Sequence, residues 1–523
     1  MKKKFYVTTA IDYVNAKPHI GHAFEKVLAD ALVRWHKLKK EKTFFLTGTD
    51  ENAPKNEMAA KEAGIPTKKF VDKNAKLFVE LYKKLNVDYD RFIRTTEEEH
   101  KKISQEIFLK VYKKGEIYKG NYEGYYCNGC EEFKTEKSLV YGKCPEHDRK
   151  PEWVSEEAYF FKLGKYKKDL LKFVENYIIP EEKKNEILSR LKNEELKDLC
   201  VSRTNLTWGI DNPVDKKFKI YVWFDALINY FSGANGNWPA DVHVVGKGIN
   251  WFHSVIWPAI LMSAEIELPK KLLVHGYLNI GGKKMSKSLG NVIDPVELIE
   301  KYGSDAVRYS LLKCSVFDDS DYSEELLIER NNNELANKLG NLVSRVSALA
   351  ERYGVEKFRL KELPQKIAKK FLNGEYDLNK GIINSLLSKL EEVSLCIAKN
   401  QIWVNRGTFW EIDNDEKYLF TSLNEVLQSL EIKISNHLED YEFDRALNEI
   451  FGFVDLCNEF IQEKKPWESD CKNREKILFE LVEAIRKINP YLGIFIPQTS
   501  EKIAKVFKND KIKKAEILFR KIV

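Results

Sequence analysis

Residues 5–35 read FYVTTAIDYVNAKPHIGHAFEKVLADALVRW. The first five are aromatic, β-branched or threonine residues, a composition that predicts a strand. From Phe24 to Trp35 the apolar residues recur at spacings of three and four, which predicts the buried face of a helix that begins near Gly21. A strand, a loop and a helix form the first part of a βαβ unit, so we expect the chain to open as an α/β fold.

The same two kinds of segment alternate further along the chain. Short runs of aliphatic and aromatic residues mark strands, and apolar residues at helical spacing mark helices. In chain order we expect strands at 43–48, 221–224, 242–245 and 272–275, and helices through 82 and at 103–112. This alternation predicts a Rossmann-like parallel sheet with flanking helices.

The pattern changes at two places. Between 118 and 142 Tyr, Gly and Cys crowd together, which predicts a small loop-rich module inserted into the α/β core. From about residue 322 strand signals nearly vanish, and long amphipathic patterns predict an all-α helical bundle. The expected segments are 1–115 (first half of the core), 116–218 (insertion, with its cysteine-rich part at 122–150), 219–280 (second half), 281–330 (a lysine-rich loop and the region after it) and 331–523 (the bundle).

Composition limits the class of protein. The 86 Lys and Arg residues exceed the 80 Asp and Glu residues, and the net charge of +6 leans only weakly toward a nucleic-acid partner. The most apolar run, 251–264, is too short for a membrane span, which needs about 20 residues. The N-terminus lacks the apolar region of a signal peptide. We therefore expect a cytoplasmic protein with no membrane partner.

The segment Pro18-His19-Ile20-Gly21-His22 lies at the predicted strand-to-helix turn. A helix N-terminus offers unpaired N–H groups and a positive dipole end, so it can bind an anion. His19 and His22 lie three residues apart on one face and could both donate hydrogen bonds to a polyphosphate. An ordinary turn with two surface histidines is the alternative explanation.

A second polar segment reads GGKKMSKSLG at 281–290. Glycines on both sides would let the loop move, and its lysines could deliver ammonium groups to negative charge that develops on a leaving group. A solvated basic surface loop is the other interpretation.

Four of the candidate metal ligands are clustered. Cys127 and Cys130 are separated by two residues, and so are Cys144 and His147, whereas the other five of the eight cysteines are scattered. Paired Cys and His ligands two residues apart fit the turns of a tetrahedral zinc knuckle. We expect one structural Zn²⁺ that stabilises the inserted module, as against four unconnected residues.

Taken together, the segments around His19 and Lys287 resemble the HIGH and KMSKS signatures of class I aminoacyl-tRNA synthetases, in the same order along the chain. Further segments resemble the methionine-specific enzymes of that class over nearly the whole length. They are 8–15, 47–51, 221–230, 251–258, 341–345 and 465–467. The single zinc knuckle also fits these enzymes. The resemblance implies an ATP-dependent enzyme that joins L-methionine to tRNA(Met), with Mg²⁺ bridging the ATP phosphates, and a C-terminal bundle that binds the anticodon.

The same resemblance implies roles for individual residues. His19, His22, Lys284 and Lys287 would be catalytic, and Thr9, Gly21 and Gly246 would join them around ATP. Asp50 would accept a hydrogen bond from the substrate ammonium. The methionine side chain would lie among Ile11, Tyr13, Trp223, Ala226, Leu227, Tyr230, Ile249, Phe252 and His253. Aromatic rings suit a thioether, and we expect Tyr230 and His253 to offer hydrogens to its sulfur.

Three residues are expected to read the anticodon, namely Asn341, Arg345 and Trp467. An indole can stack on an unpaired base, and Asn and Arg can bond to its edge. Pro466-Trp467 could equally be a helix start with a buried Trp. Because the chain ends soon after the predicted bundle, we expect a monomer.

Some positions depart from the family pattern. Gly248 stands where these enzymes usually have an Asp that holds the ribose of ATP, Ala10 stands in place of a Pro, and 51–53 read Glu-Asn-Ala where a His-Gly pair usually follows the acid. Two other classes of function remain open from the sequence. One is another class I synthetase, such as the valine, isoleucine, leucine or cysteine enzyme, and the other is a non-catalytic tRNA-binding protein on the same scaffold.

Overall fold

The protein's structure is a computed structural model. It describes residues 4–127, 132–134, 139–145, 149–204, 206–285, 290–355, 394–398, 401–405, 409–412, 416–419, 423–471, 473–509 and 511–522. The chain divides into two compact units. Unit 1 comprises Met1–Glu297 and Phe317–Asp321, and unit 2 comprises Leu298–Val316 and Tyr322–Val523. The finer segment boundaries expected from the sequence stay predictions.

Unit 1 contains sixteen strands among its described residues. They are β1 (Lys4–Thr9), β2 (Asp12–Tyr13), β3 (Lys42–Asp50), β4 (Arg91–Arg94), β5 (Ile117–Cys127), β6 (Glu132–Lys134), β7 (Glu152–Phe161), β8 (Ile178–Ile179), β9 (Leu199–Cys200), β10 (Ser202–Arg203), β11 (Lys219–Ile220), β12 (Val242–Gly246), β13 (Leu272–His275), β14 (Leu278–Ile280), β15 (Lys283–Lys284) and β16 (Ser320–Asp321). Its helices are α1 (Ile20–Leu38), α2 (Pro54–Glu62), α3 (Thr67–Lys84), α4 (Glu98–Lys113), α5 (Lys167–Val174), α6 (Glu181–Asn193), α7 (Val222–Ser232) and α8 (Trp257–Ala264), and α9 (Pro295–Tyr302) crosses the boundary between the units.

A seven-stranded parallel sheet forms the centre of unit 1. Its order is β2-β3-β1-β12-β13-β8, and β4 also pairs with β3, from Leu46 opposite Arg91 to Thr49 opposite Arg94. In the register of β1, Val7 lies opposite Phe45 on one side and Val242 on the other. The chain continues from β1 to β3 on one side and returns much later to β12 on the other. The carboxyl ends of β1 and β12 therefore form the switch point at which open α/β sheets bind ligands.

The strands predicted at 5–9, 43–48, 242–245 and 272–275 are confirmed, as are the early helices. The prediction of a strand at 221–224 is wrong, because these residues form the start of α7. Val222, Trp223 and Phe224 favour strands by composition. However, α7 is buried on nearly all sides, so its apolar residues show no helical period that the sequence could reveal.

The insertion has more regular structure than its composition predicts. β5 pairs with β7 in antiparallel register from Ile117 opposite Phe161 to Tyr126 opposite Glu152, and β6 and β9 complete a four-stranded sheet. The prediction of a loop-rich module is therefore wrong for the part of the insertion that this four-stranded sheet forms. The cysteine-bearing turns at the far end of β5 lie partly outside the described residues.

A small sheet of order β15-β14-β16 follows the central sheet. Here Gly276 is required by close packing, since a Cβ at this position would lie 2.3 Å from the carbonyl oxygen of Asp318. The returning segment Phe317–Asp321 is thereby held directly against the end of β13.

Unit 2 is mainly helical, as predicted. Beyond α9 its described helices are α10 (Ser304–Leu312), α11 (Glu324–Arg330), a π-helical stretch (Asn331–Gly340), α12 (Asn341–Tyr353), α13 (Leu423–Glu439), α14 (Phe443–Lys464), α15 (Arg474–Phe495) and α16 (Pro497–Val506). Two antiparallel hairpins in unit 2 were not predicted from the sequence. They are formed by β17 (Ser394–Ala398) with β18 (Gln401–Asn405), and by β19 (Phe409–Ile412) with β20 (Glu416–Leu419).

Buried charges on α10 close the ends of two neighbouring helices. Arg308 is fully buried and donates to the carbonyl oxygen of Phe495 at 2.9 Å, at the end of α15. Asp305 accepts a hydrogen bond from the backbone N–H of Thr499 at 2.6 Å, in the first turn of α16. Both bonds satisfy backbone groups that a helix end leaves unpaired. In the part of the chain that the structure describes, no helix has the length and apolar character to cross a membrane.

Candidate functional site

The two histidines of the first motif cap α1. His19 is the N-cap residue, and its Nδ1 accepts the backbone N–H of Gly21 at 3.1 Å. The backbone N–H of His19 in turn donates to Nδ1 of His22 at 3.0 Å, and the two rings stack with centroids 3.7 Å apart. Since both Nδ1 atoms accept, a neutral ring at either position carries its proton on Nε2. The cap thus fixes two imidazole donors side by side at a helix N-terminus.

Beneath this turn lies a buried cluster of charges centred on Lys26. Its ammonium lies 2.6 Å from Oδ2 of Asp12 and 2.8 Å from Oε1 of Glu25, and it also donates to the carbonyl oxygen of Ala10 at 3.1 Å. The Asp12 carboxylate accepts from the Tyr82 hydroxyl at 2.5 Å. One ammonium thereby ties the second turn of α1 to the ends of β1 and β2.

The charge cluster also reaches His22 in the first turn of α1 and His275 at the end of β13. Nε2 of His22 lies 3.8 Å from Oδ1 of Asp12, and Oε2 of Glu25 lies 3.1 Å from Nε2 of His275, at the end of β13. Burial, reinforced by the nearby Lys26 ammonium, lowers the pKa of His22 to about 3. His22 is therefore neutral at physiological pH and acts as a hydrogen-bond donor, not as a cation.

Both flanks of the lysine-rich loop contact the histidine turn. The backbone N–H of Ile20 donates to the carbonyl oxygen of Ile293 at 3.1 Å. A Cβ on Gly21 would lie 3.2 Å from Cε of Met285, so this methionine covers the glycine. The backbone of Lys284 pairs with Asn279, whereas the Lys284 side chain and Lys287 lie outside the described residues.

The residues predicted to surround ATP lie at the switch point of the sheet. Thr9 ends β1 and is fully buried, with its hydroxyl donating to the Thr47 hydroxyl at 2.8 Å. Gly246 ends β12, and a Cβ there would lie 3.5 Å from Cε1 of His275. The sheet thus ends in small or buried side chains where a ligand must approach the backbone.

Aromatic rings form a cluster between α7 and the helical turn before α8. Trp223 stacks on Phe252 with centroids 3.8 Å apart and planes 12° apart, and His253 meets the edge of Trp223 at 6.4 Å. Leu227, Tyr230 and Phe252 belong to one large buried hydrophobic cluster of unit 1, with Ile249 and Trp223 partly buried against it. Ala226 is buried on α7. The structure therefore brings seven of the nine residues predicted for the methionine side chain into the same region.

The prediction that Tyr230 and His253 both offer hydrogens to a sulfur atom does not agree with their hydrogen bonds. Nδ1 of His253 lies 2.9 Å from the carbonyl oxygen of Ile249, so it must donate its proton there. Nε2 then accepts the Tyr230 hydroxyl proton, at 2.6 Å. Burial lowers the pKa of His253 to about 4, so no second ring proton is present at neutral pH. In this arrangement both hydrogens are committed within the protein.

The remaining predicted ligands of the amino acid lie on β2 and β3. Tyr13 is paired with Asp50 in the parallel register of these strands, and Asp50 is buried. Tyr13 packs in a small cluster with Trp223, which connects it to the aromatic rings of α7. Ile11 packs against a separate cluster that contains Tyr6 and Leu46.

The residues that depart from the family pattern after Asp50 are held by buried polar contacts. Both carboxylate oxygens of Glu51 accept from the guanidinium of Arg94, at 2.6 and 2.9 Å. The amide of Asn52 donates to Oδ2 of Asp225 at 2.7 Å and to the carbonyl oxygen of Thr95 at 3.0 Å. Asn52 thus joins the end of β3 to the first turn of α7, so this departure is compensated locally.

Two of the four predicted zinc ligands can be described. Cys127 ends β5, Cys144 lies beyond β6, and both thiols are buried. The backbone N–H of Cys144 donates to the carbonyl oxygen of Arg149 at 2.9 Å. Cys130 and His147 lie outside the described residues. Buried cysteine thiols are suitable Zn²⁺ ligands, because this metal accepts sulfur donors.

The residues expected to read the anticodon come together in unit 2. Asn341 and Arg345 lie four residues apart on one face of α12. The guanidinium of Arg345 lies 5.2 Å from the ring centroid of Trp467 and donates to Oε1 of Gln462 at 3.0 Å. Trp467 is 36% exposed and follows the end of α14, so it does not start a helix with a buried ring. The alternative explanation of Pro466-Trp467 is therefore excluded.

Two features of the site were not predicted from the sequence, the Lys26 cluster and Tyr277. The ring atom Cε1 of Tyr277 lies 3.4 Å from the place that a Cβ on Gly246 would occupy. A signal for Lys26 was present, since Glu25 and Lys26 interrupt an otherwise apolar run in α1. Charged residues inside such a run require buried partners. Nothing local, however, identified those partners as Asp12 and His275.

Comparisons with known proteins agree over both units. A family model described as tRNA synthetases class I (M) matches residues 5–151 and 147–347, and one described as the anticodon-binding domain of tRNA ligase matches 421–522. The methionine–tRNA ligase of Clostridium tetani is 40% identical over 96% of this chain and 73% of its own length. That of Brucella suis is 36% identical over 96% of this chain and 91% of its own length.

A solved structure has a similar fold. Mycobacterium tuberculosis methionyl-tRNA synthetase in complex with methionyl-adenylate matches with a TM-score of 0.79 at 32% identity. The match covers 96% of this chain and 94% of that one.

The Lys26 cluster predicts a large stability effect. Lys26→Met would leave two buried carboxylates without their counter-charge, and we expect a loss of about 3–5 kcal/mol in the free energy of unfolding of unit 1. Lys37→Met, on the same helix, removes an exposed pair with Asp88 and should cost less than about 1 kcal/mol. Hydrogen exchange of the α1 amides, followed by mass spectrometry, measures both. Equal losses for the two variants would contradict a central role for Lys26.

Proposed function

The chain belongs to the class I tRNA synthetases and, within them, to the methionine–tRNA ligases, and we propose how its residues divide the work of that reaction. The enzyme activates L-methionine with ATP and transfers it to tRNA. One observation above all supports the assignment of residues: both flanks of the lysine-rich loop contact the turn that carries His19 and His22. Ammonium and imidazole donors can therefore act on the same triphosphate.

In the first step the methionine carboxylate attacks the α-phosphorus of ATP, the bond to the bridging oxygen breaks, and pyrophosphate leaves. Catalysis of this kind depends on positioning and on stabilising negative charge. Nε2–H of His19 and of His22 would bond to phosphate oxygens, assisted by the N-terminus of α1. Lys284 and Lys287 would stabilise the charge on the leaving pyrophosphate. Mg²⁺, bound to ATP, would neutralise part of the phosphate charge.

Around the nucleotide, small side chains would allow close contact with the backbone. Thr9, Gly21 and Gly246 lie at the ends of β1 and β12 and at the start of α1, around the switch point. A Cβ on Gly21 would already crowd His19 and Met285, at 3.0 and 3.2 Å. A larger residue there would compete with both the cap and the loop.

The methionine would be held at its two ends by different chemistry. Asp50 would accept a hydrogen bond from the ammonium, a charge-assisted contact made in a buried position. The thioether would lie against the stacked rings of Trp223 and Phe252, where sulfur–aromatic contacts are favourable. The remaining pocket residues would be Ile11, Tyr13, Ala226, Leu227, Tyr230, Ile249 and His253.

In the second step a ribose hydroxyl at the 3′ end of tRNA(Met) attacks the carbonyl carbon of the adenylate, and AMP leaves. Unit 2 would select the tRNA through Asn341, Arg345 and Trp467. Trp467 is partly exposed beside a guanidinium, and this arrangement allows one base to stack while its edge is bonded.

We also propose that one structural Zn²⁺ is held by Cys127, Cys130, Cys144 and His147. When bound, the metal would cross-link two turns of a module whose aromatic residues Trp153 and Tyr141 are largely exposed and add little to a core.

Methionine-dependent exchange between ATP and pyrophosphate tests the first step. Among the twenty amino acids, methionine should drive exchange fastest, and Lys287→Ala should lower the rate by about 10²–10³-fold, since it removes charge stabilisation from the transition state. Lys283→Ala, an exposed neighbour in β15, is the matched control and should lower it by less than about threefold. Exchange driven by another amino acid would refute the assignment of substrate, and full activity of Lys287→Ala would remove that lysine from the mechanism.

A substitution in unit 2 tests tRNA selection. Trp467→Ala should raise the KM for tRNA(Met) by about 5- to 150-fold, because stacking on one base contributes roughly 1–3 kcal/mol, and it should leave pyrophosphate exchange unchanged. Trp467→Phe retains a ring and should recover most of the affinity. If Trp467→Ala aminoacylated tRNA with an unaltered KM, the ring would have no part in recognition.

Metal content tests the knuckle. Cys144→Ser should abolish the bound zinc measured by mass spectrometry and lower the melting temperature of the insertion, because the fourth ligand position is lost. Cys457→Ser, a buried thiol in unit 2, is the control and should retain one zinc per chain. Retention of zinc by Cys144→Ser would contradict the proposed ligand set.

A further inference from the structure

Gly248 lies in the short helical turn Lys247–Ile249 that follows β12. Its φ angle is not positive, so the backbone conformation does not require a glycine. The surrounding space does require one. A Cβ at this position would lie 1.9 Å from the hydroxyl oxygen of Tyr277 and 3.3 Å from its ring carbon Cζ. The Tyr277 hydroxyl therefore occupies the space that a side chain at position 248 would fill.

The Tyr277 ring is fixed from several directions. Its backbone N–H donates to Oδ1 of Asp319 at 2.9 Å, and its carbonyl oxygen accepts the N–H of Ser320 at 2.9 Å. The ammonium of Lys247 lies 5.0 Å from the ring centroid and 2.7 Å from Oδ2 of Asp319. A side chain held by its own backbone and by a neighbouring ion pair points its hydroxyl in a defined direction.

The Tyr277 side chain lies at the carboxyl end of a strand next to the switch point. Tyr277 crosses the end of β12, with its Cε1 at 3.4 Å from the place of a Cβ on Gly246. β12 is the strand beside β1 at the switch point, and β1 leads to the His19 turn. A nucleotide whose phosphates lie at the N-terminus of α1 therefore extends its sugar toward the carboxyl end of a neighbouring strand. A phenolic hydroxyl can both donate to and accept from a sugar hydroxyl.

We propose that the Tyr277 hydroxyl, admitted by Gly248, binds a ribose hydroxyl of ATP and makes this enzyme sensitive to the sugar of the nucleotide. The proposal rests on the proposed function for the position of the phosphates. Tyr277 and Gly248 form a matched pair, because the phenol occupies the space of any side chain at 248.

The test compares ATP with 2′-deoxy-ATP and 3′-deoxy-ATP in methionine-dependent pyrophosphate exchange. The unchanged enzyme should prefer ATP over at least one analogue by about three- to tenfold in kcat/KM, the value of one neutral hydrogen bond. Tyr277→Phe should lose that factor with ATP and keep its rate with the analogue. Tyr118→Phe, which removes the hydroxyl of a partly exposed tyrosine in the insertion, is the control and should leave the preference unaltered.

Gly248→Ala tests the pairing. Its methyl group would displace the Tyr277 hydroxyl, so the preference for ATP should fall as in Tyr277→Phe. In the Tyr277→Phe background the methyl would meet only a ring carbon at 3.3 Å, and Gly248→Ala should change kcat/KM by less than about twofold further. Additive losses in the double variant would contradict the pairing.

Calorimetric affinities for ATP and the two analogues, measured without methionine, separate this inference from the proposed function. Tight ATP binding with no exchange would refute the proposed activity and still report on Tyr277. If Tyr277→Phe weakened ATP and both analogues by the same factor, the hydroxyl would have only a structural role and the inference would be overturned.

Discussion

A single buried ammonium, that of Lys26, connects the parts of the catalytic unit that must stay in register. It contacts the end of β1 through Ala10, the strand β2 through Asp12, and the neighbouring Glu25, which itself meets His275 at the end of β13. Buried charges are stable only with partners at close range. The first turn of α1 therefore cannot shift along the sheet without separating at least one of these pairs. The positions of the two imidazoles on that turn are fixed in the same way.

The cap of α1 and the burial of His22 explain why the two histidines can act as hydrogen-bond donors. Their Nδ1 atoms are occupied by the cap of α1, and burial keeps His22 neutral. The hydrogen bonds at the N-terminus of α1 therefore determine that each neutral imidazole carries its proton on Nε2. The same reasoning applies to the residues proposed to bind the amino acid, where the carbonyl oxygen of Ile249 fixes the tautomer of His253 and thereby the direction of the Tyr230 hydroxyl.

The sequence predicted the features that local spacing determines. The strand and helix around His19 follow from composition and period. The family resemblance named Arg345 and Trp467 as candidate anticodon residues, and their contact with each other was found only in the structure. Features that depend on contacts between distant segments could not be predicted in this way. The start of α7 is apolar on all sides and therefore has no readable period, and the space that Tyr277 occupies at Gly248 exists only once β12 and β13 are paired.

The contacts of Met285 and Ile293 with the His19 turn have a consequence for the kinetics of the loop. Of the two lysines proposed to act on the phosphates, Lys287 is the one that lies between these anchors in the sequence. If it acts as proposed, its encounter with a bound phosphate would be an intramolecular event. Such tethering over a short span commonly corresponds to an effective concentration of the order of millimolar or above. Under the proposed mechanism, such a loop would engage successive substrates without a diffusional search, and part of the entropy of bringing the charges together would be lost once, during folding.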